Sequence, residues 1–197
     1  MRIRYNAPFT LTFSLACAAV LLANQYLAPN LIRDWFTVGG QGSFHANDWM
    51  SYLRLLSYPL GHADWDHLYG NLMFIVLLGP VLEEKYQTPT FVVMAVITAL
   101  VTGIVNVLFF QTGLVGASGI VLLMVLLVSF TNIRAGDIPL TFVAVLVLYL
   151  GKEVLDAFKN DNISHFAHIV GGVCGSIFGF ITARFQDPPA PRSPAIP

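Results

Sequence analysis

The chain is poor in charge: 11% of its 197 residues are Asp, Glu, Lys or Arg, against roughly 25% in an ordinary water-soluble domain. So few ions cannot cover a water-facing surface, which excludes a soluble globular protein. Net charge is −1, offering neither a basic footprint for nucleic acid nor a polybasic patch for an anionic membrane surface. Cysteine is nearly absent. Cys17 and Cys174 both lie in apolar stretches and are too few for a disulfide framework or a zinc cluster. No internal repeat is present, so the inverted-repeat signature of many secondary transporters is missing. The string His-Glu-x-x-His is also absent, and with it the zinc-protease helix that presents two imidazoles one turn apart. The acidic residues fall in loops or at helix ends, which leaves no intrahelical pair of Asp for an aspartyl intramembrane protease.

What the chain does have is apolar sequence, 56% hydrophobic and 13% aromatic. A bilayer is crossed by about 20 apolar residues as a helix, so six crossings use about 120 and leave the rest for loops. The expected fold is all-α, a polytopic bundle of six transmembrane helices in one membrane domain over residues 1–186. A tail over 187–197 follows, and its five prolines predict disorder. The expected spans are 9–26, 68–82, 90–110, 118–131, 139–155 and 166–185. The first reads as a membrane helix and not as a signal peptide, because the small residues Ala16, Cys17 and Ala18 lie inside the run and not after it. Residues 27–66, with Trp35, Trp49, Trp65 and several glycines, read as a long loop folded partly into the membrane interface.

Six helices put both termini on one side. That side holds Arg2, Arg4, Lys85, Arg134, Arg184 and Arg192, against Arg33, Arg54, Lys152 and Lys159 on the other. The bias favours cytoplasmic termini in a multi-pass protein of the plasma or inner membrane.

The fourth apolar segment carries the chemistry. Residues 118–131 span only about 21 Å at 1.5 Å per residue, against about 30 Å of hydrocarbon. The helix therefore starts below the outer surface, and residues 114–117 must carry non-helical backbone at membrane depth. Such backbone is tolerated only inside protein or beside a water-filled cavity. Gly116 and Gly119 flank Ser118, permit a tight turn and leave its hydroxyl at the positive end of the helix dipole.

Counting back from the charge at the inner end of each helix compares depths. Ser118 lies 16 residues from Arg134, His168 lies 16 from Arg184, and His67 lies 16 from Glu83, which is about 24 Å in each case. Asn71 is 12 from Glu83, about a turn deeper. Three helices thus bring a Ser, two His and an Asn to one layer in the outer half. A hydroxyl, an imidazole to take its proton and donors for a developing oxyanion are the parts of acyl transfer to water, so the site reads as a serine protease inside the membrane. Singly, a serine in a membrane helix more often bonds its own backbone or packs a helix contact. An intramembrane histidine is by default functional. Gly171, Gly172, Gly175 and Gly179 follow His168 on one helix face, smooth enough for another helix to approach closely.

These residues resemble the rhomboid family of intramembrane serine proteases. The matching pieces are His62-Ala-Asp-Trp-Asp-His67-Leu-Tyr-Gly-Asn71, Gly116-Ala-Ser118-Gly119 and Ala167-His168-Ile-Val-Gly171, in that order within six helices. The resemblance covers nearly the whole chain, from about residue 9 to residue 185. It implies a Ser118 nucleophile and a His168 general base. His67, Asn71 and the Ser118 backbone N–H would then form the oxyanion hole, with His62, Gly116, Gly119, Gly171 and Gly175 as supporting motif positions. It also implies no cofactor or metal, and as partners the lipid bilayer and single-pass or polytopic membrane-protein substrates, with no nucleic acid. Two positions depart from the family. The aromatic often found four residues after the serine is Leu122 here, and Trp35 is followed by Phe36 where the family's first long loop commonly has a Trp-Arg pair.

Two rival readings remain. The five histidines, His45, His62, His67, His165 and His168, suggest a metal-binding membrane protein, and His165 and His168 at i and i+3 face one way, but no acidic ligand is placed with them. The other is a rhomboid-like binding or trafficking module without catalysis. Such relatives usually lose the Ser or the His, and this chain has both.

Overall fold

The computed structural model describes residues 4–131, 138, 140–150 and 165–184. Among them every regular element is helical, and the only extended pairing is one antiparallel bridge between Val38 and Leu114. The expected tail at 187–197 lies outside the described residues.

The first helix, α1 (Pro8–Tyr26), opens on a proline that has no N–H to lose and a φ already suited to helix. No side chain of its own neighbourhood caps it. The cap comes from Glu83, near the end of α4 (Trp65–Tyr86). One carboxylate oxygen accepts from Thr10 N at 2.8 Å and Thr10 Oγ1 at 2.6 Å. The other accepts from Phe9 N at 3.1 Å and from Thr88 Oγ1 at 2.6 Å, and Thr88 begins α5 (Thr88–Phe109). A negative charge thus sits at the positive ends of two helices. It also fixes the start of α1, the end of α4 and the start of α5 at one end of the bundle. Glu83, used above as the charge that marks the inner end of its helix, is buried at 5% exposure. It still marks the end of its helix, but as a cap inside the protein.

Among the described residues three helices, α1, α4 and α5, are long and apolar enough to cross a membrane. Between the first two, the expected loop is partly helical. It holds α2 (Leu31–Trp35), α3 (Trp49–Ser57) and a 3₁₀ turn (Tyr58–Leu60). Asp48 starts α3 by accepting from Met50 N at 3.1 Å, the usual N-cap bond. The aromatic richness of this stretch disguised the helix, because Trp49, Tyr52 and Leu56 form its exposed stripe while Ser51 and Leu55 are buried.

The helix at the centre is α6 (Ser118–Val128), buried at every position from Gly119 to Leu127. A helix that is apolar all round belongs in a core. At 11 residues it is about 16 Å long, shorter than the 118–131 expected, because residues 129–131 form a turn. Then come α7 (Leu140–Val145), which continues as one π-helical turn (Leu146–Leu150), and α8 (His165–Arg184). The expected span 139–155 is described only to residue 150. The glycines of α8 lie where the sequence predicted a smooth face. A methyl group on Gly171 would overlap the carbonyl of Gly119, one on Gly175 would sit 2.6 Å from Leu123 O, and one on Gly179 would meet the Phe130 ring.

Candidate active site

Residues 111–117 leave α5 and reach α6 without helix. Their backbone is paired instead. Val38 N donates to Leu114 O at 3.0 Å, Leu114 N donates to Val38 O at 2.8 Å, and Gly116 N donates to Tyr58 O at 3.1 Å. Buried backbone groups need such partners, and the long loop supplies them. Asn106, buried near the end of α5, fastens both sides, its Nδ2 donating to Gly39 O at 3.2 Å and to Thr112 O at 3.0 Å.

Gly116 turns the chain into α6 at φ +108°, a conformation that glycine adopts without a Cβ clash. Space demands glycine as well. A methyl group there would sit 2.6 Å from His67 Cε1 and 2.7 Å from its Nε2, and 3.8 Å from Asn71 Nδ2. The His67 imidazole and the Asn71 amide therefore lie directly against the backbone that leads into Ser118. Ala117 is the cap position and Ser118 the first helical residue.

His67 stands in the first turn of α4 because Asp64 caps that helix, its Oδ1 accepting from His67 N at 2.8 Å. Asn71, one turn on and buried, donates from Nδ2 to His67 O at 3.2 Å. That bond uses one of its two amide hydrogens. His62, in the loop before α4, is fully buried, with its ring edge-on to His67 at 5.0 Å. Burial, reinforced by the neighbouring His67, pushes the pKa of His62 down to about 4, so at neutral pH it packs there uncharged.

Ser118 and His168 line one cavity of about 620 Å³ together with His67 and Asn71, and Asp64 and Asp66 stand at its wall. Fifty residues apart in sequence, the serine and the histidine are brought together by the α6–α8 contact at Gly119 and Gly171. Leu122, one turn below Ser118, is buried in the core. His45 sits apart in an exposed turn of the long loop, and the side chain of His165 lies outside the described residues. Among the described residues no three His, Cys, Asp or Glu side chains are grouped to hold a metal.

Three positioning residues escaped the sequence reading. Asp64 had a visible signal, an Asp just before a long apolar helix. Tyr58 and Asn106 had none, since one acts through its carbonyl and the other through a tertiary pairing.

The rhomboid domain, as a family model, matches residues 50–185 of this chain. Among curated proteins, the chain is 25% identical over 181 residues to "Rhomboid protease GlpG" of Yersinia enterocolitica serotype O:8 / biotype 1B. It is 24% identical to the proteins of the same name from Yersinia pestis (strain Pestoides F) and Yersinia pseudotuberculosis serotype O:3. Each alignment covers 90% of this chain and 63% of the relative, so the chain spans somewhat less than two thirds of their length.

Proposed function

The chain belongs to the rhomboid family of integral membrane proteins, and we propose that it works there as an intramembrane serine endopeptidase that cuts transmembrane segments of other membrane proteins. The observation that carries this reading is the single cavity shared by Ser118, His168, His67 and Asn71 at the start of a helix too short to span the membrane.

In the proposed mechanism His168 takes the proton of Ser118 Oγ as the oxygen attacks the scissile carbonyl carbon. The carbonyl oxygen becomes an oxyanion, met by the Ser118 backbone N–H, by the second amide hydrogen of Asn71 and by His67. Collapse of the tetrahedral intermediate passes the proton from His168 to the leaving amine. Water from the cavity then attacks the acyl-enzyme with His168 again as base, releasing the new carboxyl end and restoring Ser118. Gly116 and Gly119 give the hydroxyl and its N–H their approach, and Gly171 and Gly175 bring His168 to them.

Six spans in one domain over 1–186, cytoplasmic termini and a cavity opening toward the exterior complete the proposal. Its support is the excess of basic residues on the terminal side and the Glu83 junction, which sets the start of α1 and the end of α4 together. The substrates are single-pass or polytopic membrane proteins, and no cofactor is needed.

The test is cleavage of a single-helix membrane substrate in liposomes. Ser118→Ala and His168→Ala should each lower turnover by about 10⁴-fold or more, because the pair acts as one unit. Normal turnover by folded Ser118→Ala would sink the serine mechanism, and loss of wild-type activity to a chelator would point to metal chemistry.

A further inference from the structure

The end of the bundle that carries Ser118 holds a second cavity, of about 240 Å³, which the proposed chemistry does not use. Its walls include Arg33 of α2 and Arg54 of α3, with the hydroxyls of Thr37 and Ser43. Each guanidinium is fastened by its Nε alone, Arg33 to Asp34 Oδ1 at 2.9 Å and Arg54 to Asp34 O at 2.9 Å. Their terminal amino groups have no protein acceptor among the described residues. Two such planar forks beside one cavity match the oxygens of a phosphate. Two carboxylates stand close by, Asp34 on the Nε edge of Arg33 and Asp48 at the cap of α3. The locality is therefore near neutral, which suits a phosphodiester carrying one charge better than a multiply charged anion.

The cavity sits at the right height for a lipid headgroup. Val107, another wall residue, is two residues from the end of α5. A helix of 22 residues is about 33 Å long, against about 30 Å of hydrocarbon, so this end lies where hydrocarbon gives way to headgroups. Next to the arginines runs an apolar surface. Trp49, Tyr52 and Leu56 are 64%, 51% and 50% exposed and follow one another along one face of α3. Trp35 packs edge-on to Trp49 at 6.0 Å. Phe44, itself a cavity wall, packs edge-on to Tyr52 at 5.0 Å, so cavity and stripe are continuous. Tryptophan and tyrosine exposed at this level are the mark of a membrane–water boundary.

The geometry points to a phospholipid site: the phosphodiester seated on the terminal nitrogens of Arg33 and Arg54, the acyl chains lying along Trp49, Tyr52 and Leu56. The lipid also touches the active-site scaffold, because Val38 lines the cavity and is bridged to Leu114, four residues before Ser118. The site does not depend on the protein being a protease.

Native mass spectrometry of the full-length, delipidated protein tests this with dioleoyl phosphatidylglycerol, dioleoyl phosphatidylethanolamine and dioleoylglycerol, which has the same chains and no phosphate. The phospholipids should bind about tenfold or more tightly than dioleoylglycerol, the usual effect of charge-assisted hydrogen bonds. Arg33→Gln should erase that preference and leave the melting temperature in lipid-free detergent unchanged, since the Arg33 side chain is 72% exposed. Arg54→Lys, which keeps the charge and loses the fork, should weaken phospholipid binding in the same direction. Equal binding by wild type and Arg33→Gln, or dioleoylglycerol bound as tightly as the phospholipids, would overturn the assignment. Inorganic phosphate or glycerol 3-phosphate competing at equal concentration would also overturn it, by showing a site for free anions.

Discussion

The two ends of the bundle are held by opposite means. At the Glu83 end one buried carboxylate takes four hydrogen bonds from two other helices. At the Ser118 end the ties are mostly backbone: the Val38–Leu114 bridge, the Gly116–Tyr58 bond and the close pass of Gly171 over Gly119. There the polar side chains face a cavity. A fully satisfied polar cluster rigidifies a structure, whereas groups that line a cavity can meet a ligand. On the proposed function, stability and chemistry fall to different ends, and substitutions at the two ends should separate them.

The largest separation is expected at the Ser118 end. Asn71→Ala should lower kcat by about 10²- to 10³-fold, the effect of removing one oxyanion donor, and leave KM nearly unchanged. A raised KM with an unchanged kcat would assign Asn71 to ground-state binding. On the proposed mechanism Gly171→Val should cost about 10²-fold in turnover, because a shift of about 1 Å between α6 and α8 would misplace His168. Labelling of Ser118 by a fluorophosphonate should fall with it. Full labelling and full activity would show that the close contact does not matter to the site.

At the other end the signs reverse. Glu83→Ala orphans two backbone N–H groups and two hydroxyls, and should cost about 3 to 4 kcal/mol of stability while the molecules that remain folded cleave at the wild-type rate. Denaturation in detergent, paired with activity per folded molecule, measures both. A loss of rate without a loss of stability would erase the division between the ends.

The smallest effect is a pH dependence from His62. Unfolded, this imidazole takes its proton near 6.5; folded, it does so only near 4. Between those values the unfolded chain binds more protons, so stability is fully present above about pH 6.5 and falls as the pH drops toward 4, by at most about 3 kcal/mol. His62→Leu should flatten that part of the profile. An unchanged slope in the variant would show that other groups carry it.

How legible these features were follows from which atoms make them. Ser118, His168 and His67 announce themselves by residue type at matched distances from helix ends, and Asn71 lies one turn deeper. The glycine face of α8 announces itself by period, and the structure sets it against α6. The Glu83 cap was invisible because it joins residues 73 apart, and no local pattern encodes such a pairing. The α3 helix was hidden because its apolar stripe points away from the protein, the reverse of what amphipathic pattern reading assumes. Tyr58 and Val38 act through peptide groups that every residue possesses.

The Glu83 junction also orders events during synthesis. The first turn of α1 leaves the ribosome without a partner for its N–H groups, and the carboxylate that will cap Thr10 follows 73 residues later. At about 5 to 20 residues per second that delay is roughly 4 to 15 s. Until α4 has been made and turned into α5, α1 has no carboxylate to cap its start. This end of the bundle therefore closes backwards, with α1 pinned by a side chain made 73 residues after it.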